Sequence, residues 1–174
     1  MNAQGKRSGE TAREYAYRMI REQVISLELK PGEAFNDMEF AAKIGVSRTP
    51  VREAVIQLSE ESRIIEIFPQ RGMRIALIDV ELVEEARSLR VLLEKQIAGM
   101  CCEMATEEDI KWLQENVGLQ EFYMENSRPE MVMQLDDEMH HKLFMICHRE
   151  LTYGMCQKLA IHYDRIRSLS VNTV

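Results

Sequence analysis

Apolar positions near the start of the chain recur at helical spacing. Ala16, Ile20, Val24 and Leu27 share one face of a helix expected over residues 9–27. The eight residues before it carry no such pattern and read as a frayed tail. Lys30-Pro31-Gly32-Glu33 ends the helix, because Pro31 biases Lys30 away from the helical region and Gly32 supplies a turn. Asn36 is a ready N-cap for a short helix over 37–44, with Asp37 and Glu39 in the first turn, where the helix dipole favours negative charge. Gly45 stops that helix. Ser47 then caps a third over 48–61, with Pro50 in its first turn, where a missing N–H costs nothing. The pattern changes next: Ile64-Ile65-Glu66-Ile67-Phe68 and Met73-Arg74-Ile75-Ala76-Leu77 are β-prone runs on either side of Pro69-Gln70-Arg71-Gly72, which predicts a hairpin. Helix, helix, tight turn, helix and two-stranded ribbon is the layout of a winged helix-turn-helix.

From Asp79 onward the pattern predicts helices alone. Asp79 caps a long one over 80–104, with Leu82, Ala86, Leu89, Leu93 and Ile97 on one face. Thr106-Glu107-Glu108-Asp109 resembles a capping box opening a helix that reaches Asn126. Pro129 opens the next, which holds Met133, Leu135 or Met139, Leu143 and Ile146, and a last helix covers 151–169. The expected fold is therefore mainly α: a winged helix-turn-helix with a small two-stranded wing over 1–78, then an all-helical bundle over 79–174.

Composition adds limits. With 174 residues, 45% hydrophobic and 29% charged, the chain can bury one medium core or two small ones, which excludes disorder as the dominant state. The longest apolar runs are a few residues, too short to span a membrane. The first residues lack the apolar stretch of a secretory signal. Cys101, Cys102, Cys147 and Cys156 show no CxxC spacing and read as reduced core thiols, so a cytoplasmic location is expected. Charge divides unevenly: residues 1–78 carry 12 Lys and Arg against 11 Asp and Glu, whereas 79–174 carry 10 against 18. A near-neutral half can still present a local basic face, and local field is what binds phosphate.

Gly45-Val46-Ser47-Arg48-Thr49-Pro50-Val51-Arg52-Glu53-Ala54-Val55 is the most informative stretch. A recognition helix offers long donors at its N-terminal end and keeps an apolar stripe against its own domain. Arg48 and Arg52 lie one turn apart, and either can fork onto guanine O6 and N7. The Ser47 and Thr49 hydroxyls, with the free N–H groups of a helix start, suit phosphate oxygens. Val51, Ala54, Val55 and Leu58 face the opposite way. The ribbon tip Gln70-Arg71-Gly72 projects one more guanidinium toward a minor groove or the backbone. Two arginines alone would read as a solvated face pairing with Glu53 or Asp37; the turn glycine, the serine cap, the early proline and the arginine-tipped ribbon together favour DNA.

These segments resemble the GntR family of bacterial transcription regulators: Leu29-Lys30-Pro31-Gly32-Glu33, then Ala41-Ala42-Lys43-Ile44 through Ala54, then Pro69-Gln70-Arg71-Gly72. The likeness covers residues 11–78 almost continuously. Arg87-Ser88-Leu89-Arg90-Val91-Leu92-Leu93-Glu94 and Asp136-Asp137-Glu138-Met139-His140-His141-Lys142-Leu143-Phe144 are similar to patterns of the family's FadR-type effector domain. Met139 departs from the usual Phe. Glu61-Ser62-Arg63-Ile64 replaces a shorter Glu-Gly-Leu turn, and Met38 stands where some relatives place an Arg on DNA. The resemblance implies a repressor, and because one winged domain reads too few base pairs to be selective, a homodimer on a pseudo-palindromic double-stranded operator is expected. A small organic acid or sugar acid would act as effector by changing the spacing of the two DNA-reading heads.

Asp136 and His140, four apart on a helix, can meet one ion, and a borderline divalent metal (Zn, Ni or Mn) would accept an oxygen and a nitrogen. From spacing alone, an i,i+4 charge pair is the better reading. In the family, two later histidines complete this site. Of the histidines after His140, His141 points about a quarter-turn away, His148 falls near the helix end and His162 matches no ligand position. The family's domain continues for several dozen residues past this chain's end, so truncation is expected to leave the metal site weak or absent. Arg87 and Arg90 are candidate clamps for a carboxylate effector, against the plainer reading that at least one pairs with Glu84, Glu85 or Glu94. Asp136, Asp137 and Glu138 bring no nucleophile or oxyanion donor with them, so no enzyme is expected. The rivals are a metal-dependent enzyme built on Asp136 and His140, and a protein-interaction module that has lost its operator.

Overall fold

The computed structural model of the chain describes residues 5–172. Residues 1–4 of the expected tail, and 173–174, lie outside the described residues. The elements run α1 (Ala12–Ile25), β1 (Ala34–Phe35), α2 (Asp37–Ile44), α3 (Arg48–Ser62), β2 (Ile65–Phe68), β3 (Gly72–Ile75), α4 (Val80–Met104), α5 (Glu107–Glu125), α6 (Pro129–Ile146), α7 (Glu150–Leu159) and α8 (Ile161–Asn172). They form two compact units. The first is the chain up to Val80 together with Asp164–Ser168; the second runs from Glu81 to Tyr163 and resumes at Leu169.

Local chemistry sets the ends of the first helices. Thr11 and Glu14 form a reciprocal capping box, with Thr11 N donating to Glu14 Oε2 at 2.8 Å and Glu14 N to Thr11 Oγ1 at 3.2 Å. That box starts α1 three residues later than the apolar period implied. Asn36 caps α2 by accepting from the N–H groups of Met38 and Glu39. Gly45 closes α2 at φ 73°, a left-handed conformation that costs other residues energy. Arg63 does the same for α3 at φ 54°, where the family pattern places a glycine-containing turn.

The sheet has three strands, not two. They are antiparallel in the order β1-β3-β2, with Ala34 opposite Arg74, Phe35 opposite Met73, and Ile65, Glu66, Ile67 and Phe68 opposite Ile75, Arg74, Met73 and Gly72. Strand β1 has only two residues, too few to show a period. It is held in place by two flanking backbone bonds, Gly32 N to Ile75 O and Ile75 N to Glu33 O, both 2.8 Å. At the wing tip, Arg71 N closes on Phe68 O at 3.0 Å with Gln70 at φ 61°.

The first unit's core joins Ala16, Ile20 and Val24 of α1 to Val51, Ala54, Val55 and Leu58 of α3, with Ile64, Ile65 and Ile75 closing it; all are essentially inaccessible. Arg165, from the α8 segment of this unit, is also fully buried and donates Nη2 to Ala76 O at 2.7 Å. Desolvation pushes its pKa down to about 10.

In the second unit, Ile97 and Cys101 of α4 pack on Phe144, Ile146 and Cys147, with Leu93, Met100, Leu113, Leu143 and Tyr153 around them. Cys156 is buried too, but Cys102 is exposed, so it is not the core thiol expected. The single last helix expected over 151–169 is two, parted at Ala160, whose N–H still bonds Cys156 O. Among the described residues no helix is long and apolar enough to cross a membrane.

Leu58→Ala removes a fully buried side chain from the α1/α3 seam and should cost about 2–5 kcal/mol. The cost should be read as a lower urea midpoint; an unchanged midpoint would show that this seam does not hold the first unit together.

Candidate functional site

Helix α3 divides its residues by face. Val51, Ala54, Val55 and Leu58 are buried, whereas Ser47, Arg48, Thr49 and Arg52 are exposed at its N-terminal end. Gln70, Arg71 and Gly72 at the wing tip are exposed as well. Arg48, Arg52, Gln70 and Gly72 share a groove of about 310 Å³, whose other walls include Ile56, Ile67 and Phe68. Ser47 takes the extended backbone of an N-cap, but among the described residues its hydroxyl makes no cap bond to α3, contrary to the expected capping role.

One residue of this face was foreseen only as a competitor. Asp37, in the first turn of α2, is 2% exposed, and its Oδ2 accepts from Arg48 Nε at 2.9 Å. The carboxylate raises the Arg48 pKa above its ordinary value. Its buried position, opposite the start of α3, was not readable from spacing. In the wing, Arg74 is bound by Glu66 at 2.6 Å and lies over the Phe68 ring, which keeps that guanidinium within the sheet rather than at the tip.

In the helical unit, Arg87 and Arg90 part company. Arg87 is exposed and reaches Glu84 at 3.4 Å, so it is an i,i+3 surface pair and not a cavity-facing clamp. Arg90 is largely buried. It donates Nε to Glu94 Oε1 at 3.0 Å, and its guanidinium lies 5.5 Å from the centre of the Tyr163 ring. Arg90 and Glu94 line a cavity of about 10 Å³ with Phe144, Tyr153, Cys156 and Gln157. That is room for one water and far below the several hundred Å³ of an ordinary ligand site.

His140 lies between two carboxylates. Its Nδ1 is 3.0 Å from Glu94 Oε1, and its Nε2 is 3.5 Å from Asp136 Oδ1. Asp136 first and Glu94 second hold the imidazole up to about 9 from the ordinary 6.5. The two ring nitrogens thus face different carboxylates, and Asp136 and Glu94 do not converge with one nitrogen on a common point. Of the other histidines, His141 stacks on Tyr153 at 4.6 Å, His148 is exposed just past α6 at φ 54°, and His162 is buried. Among the described residues no three His, Cys, Asp or Glu side chains are grouped to hold an ion. This donor set does not fit the metal centre implied by the resemblance.

The exposed helix-turn-helix face, with its wing, and the separate helical unit define a winged-helix DNA-binding regulator with a sensor domain. The chain matches the profile of bacterial regulatory proteins of the gntR family over residues 12–75 and that of the FCD domain over 85–173. It is 30% identical over 158 residues to the HTH-type transcriptional repressor RspR of Escherichia coli (strain K12), spanning 91% of this chain and 69% of that protein. It is 31% identical over 126 residues to the Nta operon transcriptional regulator of Aminobacter aminovorans, spanning 72% and 59%. The solved structure of E. coli McbR/YncC shares the fold, with a TM-score of 0.67 at 21% identity over 90% of this chain and 71% of that one. This chain belongs to the GntR family and carries an FCD domain, a domain that binds metal in some members. It is a DNA-binding transcriptional regulator under small-molecule control, not an enzyme.

The His140 arrangement has a measurable pH signature. Its folded pKa lies above the unfolded value, so its stabilisation is complete below about pH 6.5 and is lost as pH rises through about 9. The side chain is 20% exposed, and the loss should not exceed about 3 kcal/mol. Thermal melts of the chain should shift downward across that window, and His140→Asn should flatten the shift. Identical slopes for the two proteins would show that His140 is not charged in the fold.

Proposed function

We propose that Ser47, Arg48, Thr49 and Arg52 on α3, with Gln70, Arg71 and Gly72 at the wing tip, bind and read a double-stranded DNA operator. One observation carries this reading: all seven are exposed, and four of them border a single groove, while the opposite stripe of α3 is buried in the core. One head of this size reads too few base pairs to be selective, so the protein acts as a homodimer on a pseudo-palindromic site, in the cytoplasm. Residues 1–78 serve as the DNA-binding domain and 79–174 as the effector-binding and dimerisation domain. The similarity to RspR, a repressor by name, favours repression here.

For the effector, a small organic acid or sugar acid, Arg90 is the supported clamp and Arg87 is set aside. Arg90 lies on a cavity wall next to an aromatic ring, but a cavity of about 10 Å³ has to widen before any carboxylate enters. The Asp136 and His140 pair binds a divalent metal weakly, because the nearby donors point away from a shared centre.

Arg48→Ala and Arg52→Ala should each cost about 1–3 kcal/mol on a duplex that the parent protein selects from a random pool, and each should relax one base position. If both variants select and bind as the parent does, α3 is not the reading helix. Dimeric binding with roughly 6–10 phosphate contacts also requires affinity to fall steeply as salt rises. A salt-independent affinity would exclude it. Calorimetric titration with Zn²⁺ should show no tight stoichiometric site, and tight binding abolished by Asp136→Ala would overturn the reading of that pair.

A further inference from the structure

We infer that Asp37 is a positioning residue for DNA readout: its buried carboxylate holds the Arg48 guanidinium by one edge and presents the other to nucleic acid. The inference rests on the reading that Arg48 contacts DNA. Asp37 Oδ2 takes the Arg48 Nε–H at 2.9 Å, while the Arg48 side chain stays 56% exposed. A guanidinium can grip two acceptors side-on, through Nε and Nη2, or end-on, through Nη1 and Nη2. With Nε taken, the end-on edge is the one left for paired acceptors such as guanine O6 and N7. The anchor is itself fixed. Asn36 caps α2 immediately before Asp37, and Asp37 and Arg48 border the same groove. An exposed ion pair would carry little weight. Here the carboxylate is buried, so Arg48 is the partner that compensates its desolvated charge.

This arrangement makes a prediction opposite in sign to simple electrostatics. A carboxylate on a DNA-binding face repels phosphate, so its removal alone should tighten binding to any sequence. A positioning role requires its removal to weaken binding to the selected sequence only.

The test uses the full chain, a duplex selected by the parent protein from a random pool, and a scrambled duplex of equal length. The proteins are the parent, Asp37→Ala, Asp37→Asn, Arg48→Ala and the Asp37→Ala/Arg48→Ala double variant. Asp37→Ala should bind the selected duplex about tenfold more weakly, and the scrambled duplex as well as the parent or better. The double variant should bind no more weakly than Arg48→Ala. Asp37→Asn keeps the shape and an acceptor, so it should fall between Asp37→Ala and the parent in affinity. It should also broaden base preference at the position that Arg48→Ala broadens, which keeps the comparison available if the alanine variant loses its fold. Equal weakening on both duplexes, or added weakening in the Arg48→Ala background, would overturn the positioning role by showing that Asp37 acts through the fold. So would Asp37 variants that bind the selected duplex as tightly as the parent while Arg48→Ala is impaired. If Arg48→Ala itself binds like the parent, the assignment of Arg48 to DNA fails first and takes the inference with it.

Discussion

The rotation of α3 about its own axis decides which of its residues face outward, and the buried stripe of Val51, Ala54, Val55 and Leu58 sets that rotation. Sinking Val51, Val55 and Leu58 into the seam with α1 contributes about 1.5–3 kcal/mol for each side chain. The Arg48–Asp37 ion pair joins α3 to α2 at one point, with the arginine half open to solvent, whereas the apolar stripe runs over two turns of the helix. The apolar stripe therefore orients the helix, and the arginines take the positions it leaves. At 100° per residue, Arg48, Arg52 and Ile56 then fall on a common outward row, and the groove lies along it. The tight turn serves the same end. Gly45 in its left-handed conformation redirects the chain between α2 and α3 without a side-chain penalty.

Features with local causes were legible in the sequence. Asn36, Gly45, Pro50 and the Thr106 capping box placed helix ends well because each acts through neighbours within four residues. The wing was visible from its β-prone runs and its Pro-Gln-Arg-Gly turn. What escaped depends on partners distant in sequence. Strand β1 exists because β3 offers it an edge, and two residues carry no pattern of their own. The break at Ala160 leaves no proline or glycine to mark it. Arg165 was indistinguishable from a surface arginine, yet it is fully buried against Ala76, which lies 89 positions away. At the site, the outward residues of α3 followed from periodicity. The choice between Arg87 and Arg90 did not, because a shift of three positions on a helix moves a side chain only about 60° around the axis. Whether that shift crosses from solvent into a cavity is decided by the helices packed alongside.

The helical unit stores its charge differently from the outward face of α3. Arg90, Glu94, His140 and Asp136 form an alternating series of positive and negative groups within 3.5 Å of one another in sequence along the series. Burial alone would raise the Glu94 carboxyl, but His140 and Arg90 hold it below its ordinary range. A divalent ion taking Asp136 and His140 must displace a proton from a ring held up to about 9, which at neutral pH opposes binding by about 3 kcal/mol. The series is thus more hospitable to a proton than to a metal.

An anion meets the opposite situation at the other end of the series. A carboxylate that grips Arg90 side-on has to take the place of Glu94 at Nε, and displacing a half-buried charge would ordinarily leave it unpaired at a cost of several kcal/mol. Glu94 has a second cation to turn to, since His140 lies 3.0 Å from the same oxygen. Releasing Arg90 therefore need not strand a buried charge, and the main cost of admitting a ligand becomes the widening of a cavity that now holds about 10 Å³. That widening involves Phe144 and Tyr153, whose rings pack tilted to one another with centroids 5.4 Å apart on the margin of the core. An anion that entered beside Arg90 would therefore have to repack this unit's core, the kind of linkage that small-molecule control requires.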